Sequence, residues 1–266
     1  MACDLFVTVD AARLDLAKQK NLLRPIESSQ LMKLPALFRD VESYWFGLTY
    51  RARIIVYDKE KINPKELNVY QDLADPKWTG KILVRTSENS YNQSLLASII
   101  AHKGEKGAEA WAKKIVRNMA RTPKGNDRDQ IKAIAAGQGE IAIVNSYYLG
   151  KMLYSPNSGE KLAADKVGIR FLTHEGGGTH IDISGAGVAK HAPHPDHAVR
   201  LLEFLTDAEA QAAFAEANYE YPVLPNVEWH KLLKSWGKFP LDELDLSKLG
   251  YYRKKAILIF NKVGWK

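Results

Sequence analysis

Two adjacent tyrosines, Tyr147 and Tyr148, are the side chains whose type and position most clearly permit ligand chemistry. They follow the apolar run at residues 140–144, which predicts a buried strand, so they come at the carboxyl end of that strand, where open α/β sheets bind ligands. The residues alone also permit a plainer interpretation, in which neighbouring side chains point to opposite faces of a strand, one buried and one exposed. That structural role is the simpler expectation for an isolated tyrosine pair.

Three further residues, Tyr91, Arg51 and Arg53, add a capacity to bind anions. Tyr91 follows the polar segment 87–90 at a predicted helix start, where free backbone N–H groups favour an anion. Arg51 and Arg53 alternate onto one face of a predicted long strand, and their guanidinium groups can hold a planar anion through paired hydrogen bonds. Together, these segments can place phenols and an anion-binding surface in one cleft.

Other motifs of catalysis and metal binding give little signal. His191, His194 and His197 are spaced like metal ligands, but neighbouring prolines place them at an exposed helix start, where only two can share a face. The sequence lacks the motifs of serine hydrolases, zinc peptidases and Rossmann dinucleotide-binding proteins. Its single cysteine, Cys3, excludes an internal disulfide framework, a cysteine-rich zinc site and an iron–sulfur cluster.

Composition indicates an ordinary globular protein. The 266 residues are 45% hydrophobic and 26% charged, which argues against disorder, collagen and coiled coil, and the length suits two lobes or one large α/β domain. The formal net charge is +7, but basic and acidic residues are interleaved, which favours a mixed-charge surface over a dedicated polyanion-binding patch. We expect no nucleic-acid partner, since no known nucleic-acid-binding framework is visible.

Strand-like apolar runs alternate with amphipathic segments, the pattern of an α/β fold. The first predicted helix carries Asp10 at or near its cap, and a later one ends at Gly137. Periodicity and capping residues predict helices at about residues 10–19, 91–102, 108–118, 129–136, 193–205, 207–217 and 253–263.

Two long extended segments, residues 45–57 and the glycine-flanked residues 176–188, are each suited to crossing between lobes. We therefore predict two lobes around a cleft, which is a favoured place for ligands. Lobe 1 is expected to comprise residues 1–49 with residues 181–266, and lobe 2 to comprise residues 50–180.

A series of short segments, in order along nearly the whole chain, carries a family resemblance. They are Thr8-Val9-Asp10-Ala11, Trp45-Phe46-Gly47-Leu48-Thr49 with Arg51-Ala52-Arg53, Asp72-Leu73-Ala74-Asp75-Pro76-Lys77-Trp78, Tyr91-Asn92-Gln93-Ser94, Gly125-Asn126-Asp127-Arg128-Asp129-Gln130-Ile131, Tyr147-Tyr148, Gly178-Thr179-His180, Ser184-Gly185-Ala186-Gly187-Val188 and Asn218-Tyr219-Glu220-Tyr221-Pro222-Val223. Together, they resemble the periplasmic ferric-iron-binding proteins of bacterial ABC importers, which are class II periplasmic solute-binding proteins. These segments occur in the same order as in that family, and this shared order identifies the family more specifically than any single motif does.

The resemblance implies a ligand set for Fe(III). Tyr91, Tyr147 and Tyr148 match phenolate ligands, and Arg51 matches the arginine that holds a synergistic anion such as carbonate, with Arg53 as a weaker candidate beside it. Fe(III) is a hard cation, for which anionic oxygen donors are suitable. Because a phenol is neutral at pH 7, iron must displace its proton, so acidification would release the metal.

The resemblance also implies a biological setting. The fold would be a two-lobed α/β periplasmic-binding-protein-like fold with an interlobe cleft, and the protein would be a binding protein rather than an enzyme. It would be a periplasmic monomer that captures ferric iron and delivers it to an ABC permease in the inner membrane.

The beginning of the sequence departs from the family. Family members carry a signal peptide, and then strands and helices that complete the first lobe, ahead of the segment that matches residues 5–10. Here no signal peptide precedes the strand-like run at residues 5–9. We therefore expect an incomplete first lobe, either in a shortened or internally started form or in a chain without its natural beginning. The histidine or tyrosine with which many members also bind iron belongs to that segment.

Two alternative functions remain open from the residues. One is a binding protein for another small anion or an organic ligand, held by Arg51 and the helix start at Tyr91. The other is a cytoplasmic enzyme that uses His180 or Asp182, or an inactive remnant of a transport protein.

Overall fold

The computed structural model describes residues 3–266, so residues 1 and 2 of the expected first lobe lie outside the described residues. The strands are β1 (Leu5–Val9), β2 (Phe46–Asp58), β3 (Ile82–Leu83), β4 (Ile141–Asn145), β5 (Val167–Arg170), β6 (Ile181–Val188) and β7 (Tyr221–Pro222). The α-helices are α1 (Ala11–Gln19), α2 (Ser90–Asn118), α3 (Asp127–Ala135), α4 (Ser146–Leu153), α5 (Ser158–Asp165), α6 (Pro195–Leu205), α7 (Ala208–Asn218), α8 (Lys231–Trp236) and α9 (Ser247–Val263). This mixture confirms the α/β class. Across residues 3–266, no helix is both long and apolar enough to cross a membrane.

The chain divides into two compact units. Unit 1 comprises the chain up to Arg51, Asp182–Ser235 and Leu244–Tyr251, and unit 2 comprises Ala52–Ile181, Trp236–Glu243 and Tyr252–Lys266. This division differs from the expected lobes at the C-terminal end, where two segments belong to unit 2. For Tyr252–Lys266 the reason is local packing: the indole N–H of Trp265 donates to the carbonyl of Arg85 at 3.0 Å, and its ring centroid is 6.2 Å from that of Trp111.

Unit 1 contains a sheet in which β1 and β6 pair antiparallel, from Leu5 opposite Val188 to Val9 opposite Ser184. The first part of β2 pairs antiparallel with β7. Helix α1 begins as predicted from Asp10, whose carboxylate accepts a hydrogen bond from the Ala12 N–H at 3.0 Å.

Unit 2 contains a sheet in which the second part of β2 pairs antiparallel with β4 on one side and with β5 on the other. Strand β3 adds to β4 in parallel. The first register pair of β2 and β4 is Arg53 opposite Asn145, so the end of β4 and the middle of β2 lie side by side. This pairing positions the residues that follow β4.

Helix α2 is interrupted at Gly104, whose φ of 71° is not helical. A residue with a side chain would be strained at that φ, so glycine permits a break between two helical parts. The break confirms the two separate helices predicted at residues 91–102 and 108–118.

Several expectations about local structure need correction. The segment that carries Tyr147 and Tyr148 is helix α4 rather than a strand end. Residues 221–222, which follow the predicted helix at 207–217, form β7 and pair with β2. Helix α9 begins at Ser247, six positions before the expected start at 253, because Asp245 accepts hydrogen bonds from the Ser247 N–H and hydroxyl at 3.0 and 2.8 Å.

Candidate metal centre

Tyr147 and Tyr148 lie in the first turn of α4, directly after β4. The helix start is fixed against β2, because the hydroxyl of Ser146 accepts a hydrogen bond from the Ala52 N–H at 3.2 Å. Both tyrosine side chains are partly exposed, and their ring centroids are 4.1 Å apart. The expectation of opposite faces, one buried and one exposed, is therefore wrong, since consecutive residues on a helix diverge by far less than on a strand.

Tyr91 completes a cluster of three phenols within unit 2. It is the second residue of α2 and is only 7% exposed. The Tyr147 hydroxyl makes hydrogen bonds with the side chains of Tyr91 and Tyr148. The structure thus brings together all three tyrosines that the sequence analysis selected as metal ligands.

The Tyr147 phenol is neutral at neutral pH in the metal-free protein. Burial raises the pKa of Tyr147, and its repulsion from Tyr91 and Tyr148 together with their hydrogen bonds raises it further. Burial also raises the pKa of Tyr50 and Tyr221, which stack in unit 1 at 5.0 Å. A raised phenol pKa alone therefore does not mark a site, whereas three hydrogen-bonded phenols do form a group of potential ligands.

Arg53 lies at the same end of unit 2 and is fully buried. Its guanidinium donates to Asp127 Oδ1 at 3.2 Å, to Asn145 Oδ1 at 3.1 Å and to Asn92 Oδ1 at 2.7 Å. Its Cζ atom is 6.0 Å from the centroid of the Tyr91 ring. The arginine therefore links α3 and the end of β4 to α2, the helix that carries Tyr91.

The charges around Arg53 do not cancel completely. Asp127 is its only acidic partner among the described ion pairs, and Arg85 Nη1 lies 3.5 Å from the other oxygen of that carboxylate. Two guanidinium groups therefore share one carboxylate. In addition, the Lys151 ammonium is 5.3 Å from the centroid of the Tyr147 ring. This surplus of positive charge favours anionic groups, including phenolates, near the cluster.

Arg51 has a different environment, within unit 1. Its Nη1 donates to Ser184 Oγ at 2.6 Å and to Glu220 Oε1 at 3.3 Å, and its Nη2 donates to the Ile183 carbonyl at 3.2 Å. The other Glu220 oxygen accepts from the Thr49 hydroxyl at 2.6 Å. The two arginines alternate along β2, as the sequence indicated, but they bind separate sets of partners in separate units.

Sequence reasoning missed the residues that hold Arg53 in place, namely Asn92, Asp127 and Asn145. Asp127 and Asn92 sit in first turns of helices, where polar residues are common for capping reasons alone, so their type gave no signal of this role. Asn145 precedes α4 but makes no side-chain cap for it, because its amide oxygen accepts from Arg53.

The three phenols, with positive charge beside them, can bind a hard cation after losing their protons. An Fe(III) ion is small and highly charged, and phenolate oxygens are hard anionic donors that suit it better than sulfur ligands. The donor set therefore fits ferric iron. The histidines at 191, 194 and 197 do not join this cluster; they are exposed at the start of α6, as predicted.

The sequence matches the family described as bacterial extracellular solute-binding protein over residues 2–241. Iron uptake protein A1 of Synechocystis is 45% identical over 264 residues, covering 99% of this chain and 73% of that protein. A solved structure from Trichodesmium, in complex with iron and citrate ligands, has a TM-score of 0.97 and 48% identity and covers 100% of this chain and 84% of that chain. The solved structure of the ferric binding protein of Campylobacter jejuni has a TM-score of 0.94 and 38% identity, and the match covers 99% of this chain and 84% of that chain.

The chain belongs to the family of bacterial extracellular solute-binding proteins. Membership confirms the resemblance found in the sequence and the expectation of a binding protein rather than an enzyme. The relatives are named for iron uptake and ferric iron binding, which agrees with the chemistry of the tyrosine cluster.

Proposed function

We propose that this protein captures Fe(III) and delivers it to an ABC permease in the inner membrane. The observation that carries the proposal is the hydrogen-bonded cluster of Tyr91, Tyr147 and Tyr148 within unit 2. The relatives support it, since they include iron uptake protein A1 of Synechocystis and the ferric binding protein of Campylobacter jejuni.

Tyr91, Tyr147 and Tyr148 serve as the metal ligands in this proposal. Each phenol gives up its proton when iron binds, and three phenolates together balance the charge of one Fe(III) ion. Because the pKa of Tyr147 is raised in the free protein, metal binding competes with protonation of its oxygen. Iron is therefore held at neutral pH and released as the solution is acidified.

An anion completes the coordination of the iron. Arg53 is the support within unit 2, because its guanidinium lies 6.0 Å from the Tyr91 ring and shares its carboxylate partner with Arg85. The family resemblance instead implies Arg51 as the anion-binding arginine and Arg53 as the weaker candidate, so Arg51 stays a candidate beside Arg53. Carbonate or a hydroxycarboxylate such as citrate suits this role, since the Trichodesmium structure contains iron and citrate ligands.

The proposed place of action is the periplasm, and the proposed form is a monomer. The Fe(3+)-binding periplasmic protein of Serratia marcescens, 25% identical over 266 residues, supports this location. A permease partner follows from the role of solute-binding proteins in ABC import.

Equilibrium dialysis against ferric citrate at neutral pH tests the proposal. The parent is expected to retain about one iron per chain, and the double variant Tyr147→Phe/Tyr148→Phe to retain almost none. Tyr154→Phe is the matched control, because Tyr154 directly follows the same helix and is 46% exposed. Equal iron retention by the parent and the double variant would contradict the proposal and favour a ligand held by the arginines and the start of α2.

A further inference from the structure

A second group of potential ligands lies in unit 2, formed by His102, His174 and Asp242. His102 is in α2, two residues before its break at Gly104. His174 follows β5, and Asp242 belongs to the segment Trp236–Glu243, which returns to unit 2 from the C-terminal part of the chain. Three stretches that are distant in sequence thus meet at one point.

The side chains of this group converge. A ring nitrogen of each histidine and a carboxylate oxygen of Asp242 all lie within 4.8 Å of one another. His102 Nε2 is 2.9 Å from Asp242 Oδ2, and His174 Nε2 is 3.6 Å from the same oxygen. The two imidazole rings stack with centroids 4.2 Å apart. Two nitrogens and one oxygen therefore lie close enough to share one ion, which would replace the contact of His174 Nε2 with Ser98 Oγ at 3.1 Å.

The backbone holds the group in place independently of these side chains. The His174 N–H donates to the Gly178 carbonyl at 3.0 Å, and the Asp242 N–H donates to the Thr179 carbonyl at 3.1 Å. The Thr179 N–H in turn donates to the Pro240 carbonyl at 2.7 Å. These bonds lock the two loops together, so the ligands are arranged before any ion binds.

Within the described part of the chain, one of the two ring nitrogens of His174 is unpaired, and it is not the nitrogen that lies beside Asp242. His174 is 1% exposed, and its Nδ1 has no hydrogen-bond partner among residues 3–266. The charge of Lys103 is paired with Glu175.

We propose that His102, His174 and Asp242 bind a divalent transition-metal cation of the zinc class, which fastens Trp236–Glu243 to helix α2. Two imidazoles and a carboxylate, with a fourth position for water, form a donor set that zinc accepts readily. Fe(III) prefers the all-oxygen tyrosine cluster, so the two sites differ in the metal they select. His102 is the entry side, since 21% of its side chain is exposed.

Zinc binding to the full chain tests this proposal. The protein is freed of metal with a chelator and dialysed against Zn²⁺ alone, and bound zinc is measured for the parent and for four variants. They are Tyr147→Phe/Tyr148→Phe, His102→Gln, Asp242→Asn and, as a control with an exposed histidine, His197→Gln. Circular dichroism of each protein checks that it is folded.

The parent, the double tyrosine variant and His197→Gln are expected to bind about one zinc with equal affinity. His102→Gln and Asp242→Asn should bind at least about tenfold more weakly, since the loss of an outer-shell partner alone costs roughly 10–100-fold. Absence of zinc binding by the parent, or zinc affinity unchanged in His102→Gln, would overturn the proposal. If Asp242→Asn does not fold, the unfolding temperatures of the parent and of His102→Gln are compared with and without Zn²⁺. A zinc-induced rise in the unfolding temperature of the parent that is absent in His102→Gln supports the site. No rise in the parent refutes it.

Discussion

The Nη2 atom of Arg53 donates a hydrogen bond to Asn92 Oδ1 at 2.7 Å, and Asn92 directly follows Tyr91. The amide group of Asn92 also donates to the carbonyls of Arg85 and Thr86 at 2.9 and 3.1 Å. One buried arginine therefore fixes the turn that presents a proposed iron ligand. Its role in the site is positional as well as electrostatic.

Replacing Arg53 tests this double role. In Arg53→Lys the positive charge remains, but a single ammonium cannot reach Asn92, Asp127 and Asn145 together. We expect the free energy of unfolding to fall by about 1–3 kcal/mol, the cost of leaving a buried acceptor without its hydrogen bond, and the iron affinity to fall with it. Denaturant unfolding and iron dialysis measure the two effects.

Arg128→Lys provides the control for that substitution. Arg128 pairs with Glu160 at 3.2 Å, but 35% of its side chain is exposed. An exposed ion pair contributes about 0–1 kcal/mol to the free energy of unfolding, so this variant should be nearly as stable as the parent. If Arg53→Lys and Arg128→Lys lowered the free energy of unfolding equally, the result would contradict the positional role of Arg53.

Buried tyrosines predict a loss of stability in alkali. Burial raises the pKa of Tyr50, Tyr147 and Tyr221 in the folded protein, whereas a phenol in the unfolded chain ionises near pH 10. Above about pH 10 the folded state therefore binds more protons than the unfolded state, and the free energy of unfolding falls as the pH rises. Below that pH these groups contribute no pH dependence.

Denaturant unfolding of the metal-free protein between about pH 8 and pH 11 measures this effect. Tyr147→Phe removes one of the three contributions, so its unfolding free energy should decline less steeply in alkali than that of the parent. Parallel pH profiles for the two proteins would show that the Tyr147 phenol does not resist ionisation in the folded state.

Close backbone packing makes Gly178 intolerant of a side chain. A Cβ atom there would lie 2.1 Å from the carbonyl carbon and oxygen of Leu241. Since both atoms belong to the backbone, Gly178→Ala must move the loop at Gly178 away from the loop at Leu241. We expect the free energy of unfolding to fall by about 3 kcal/mol or more. Chemical denaturation of the two proteins measures the difference.

Gly176→Ala is the matched comparison in the same glycine run. No atom lies within 4 Å of a Cβ at this position, and φ is +74°. Only the strain of a left-handed backbone remains, which costs about 1–2 kcal/mol. A Gly178→Ala variant no less stable than Gly176→Ala would mean that the loop at 240–242 is not packed against residues 178–179.

Local sequence signals predicted elements where one chemical cause dominates. Asp10 begins α1 because its carboxylate caps the helix, and Gly104 divides α2 because glycine accepts a positive φ. Helix α4 was missed because it follows β4 with no intervening turn, and Asn145, its natural capping residue, is turned to Arg53. There, a tertiary contact overrides the local signal.

The candidate site was predictable as a set of residues but not as an arrangement. The family resemblance selected Tyr91, Tyr147 and Tyr148, whereas their hydrogen bonding depends on how α2 and α4 pack in unit 2. The convergence of His102, His174 and Asp242 left no local pattern, because each comes from a different loop or helix. Such a group is found only once the chain is folded.

The measurement that tests the central claim most directly is a titration of the metal-free protein with a soluble ferric chelate at neutral pH, followed by visible absorption. Phenolate bound to Fe(III) gives a ligand-to-metal charge-transfer band, so we predict that colour appears up to about one iron per chain. The band should be lost or shifted in Tyr147→Phe and in Tyr148→Phe, and unchanged in Tyr154→Phe. A folded parent that stays colourless, or a band that both site variants retain unchanged, would contradict tyrosinate binding of ferric iron.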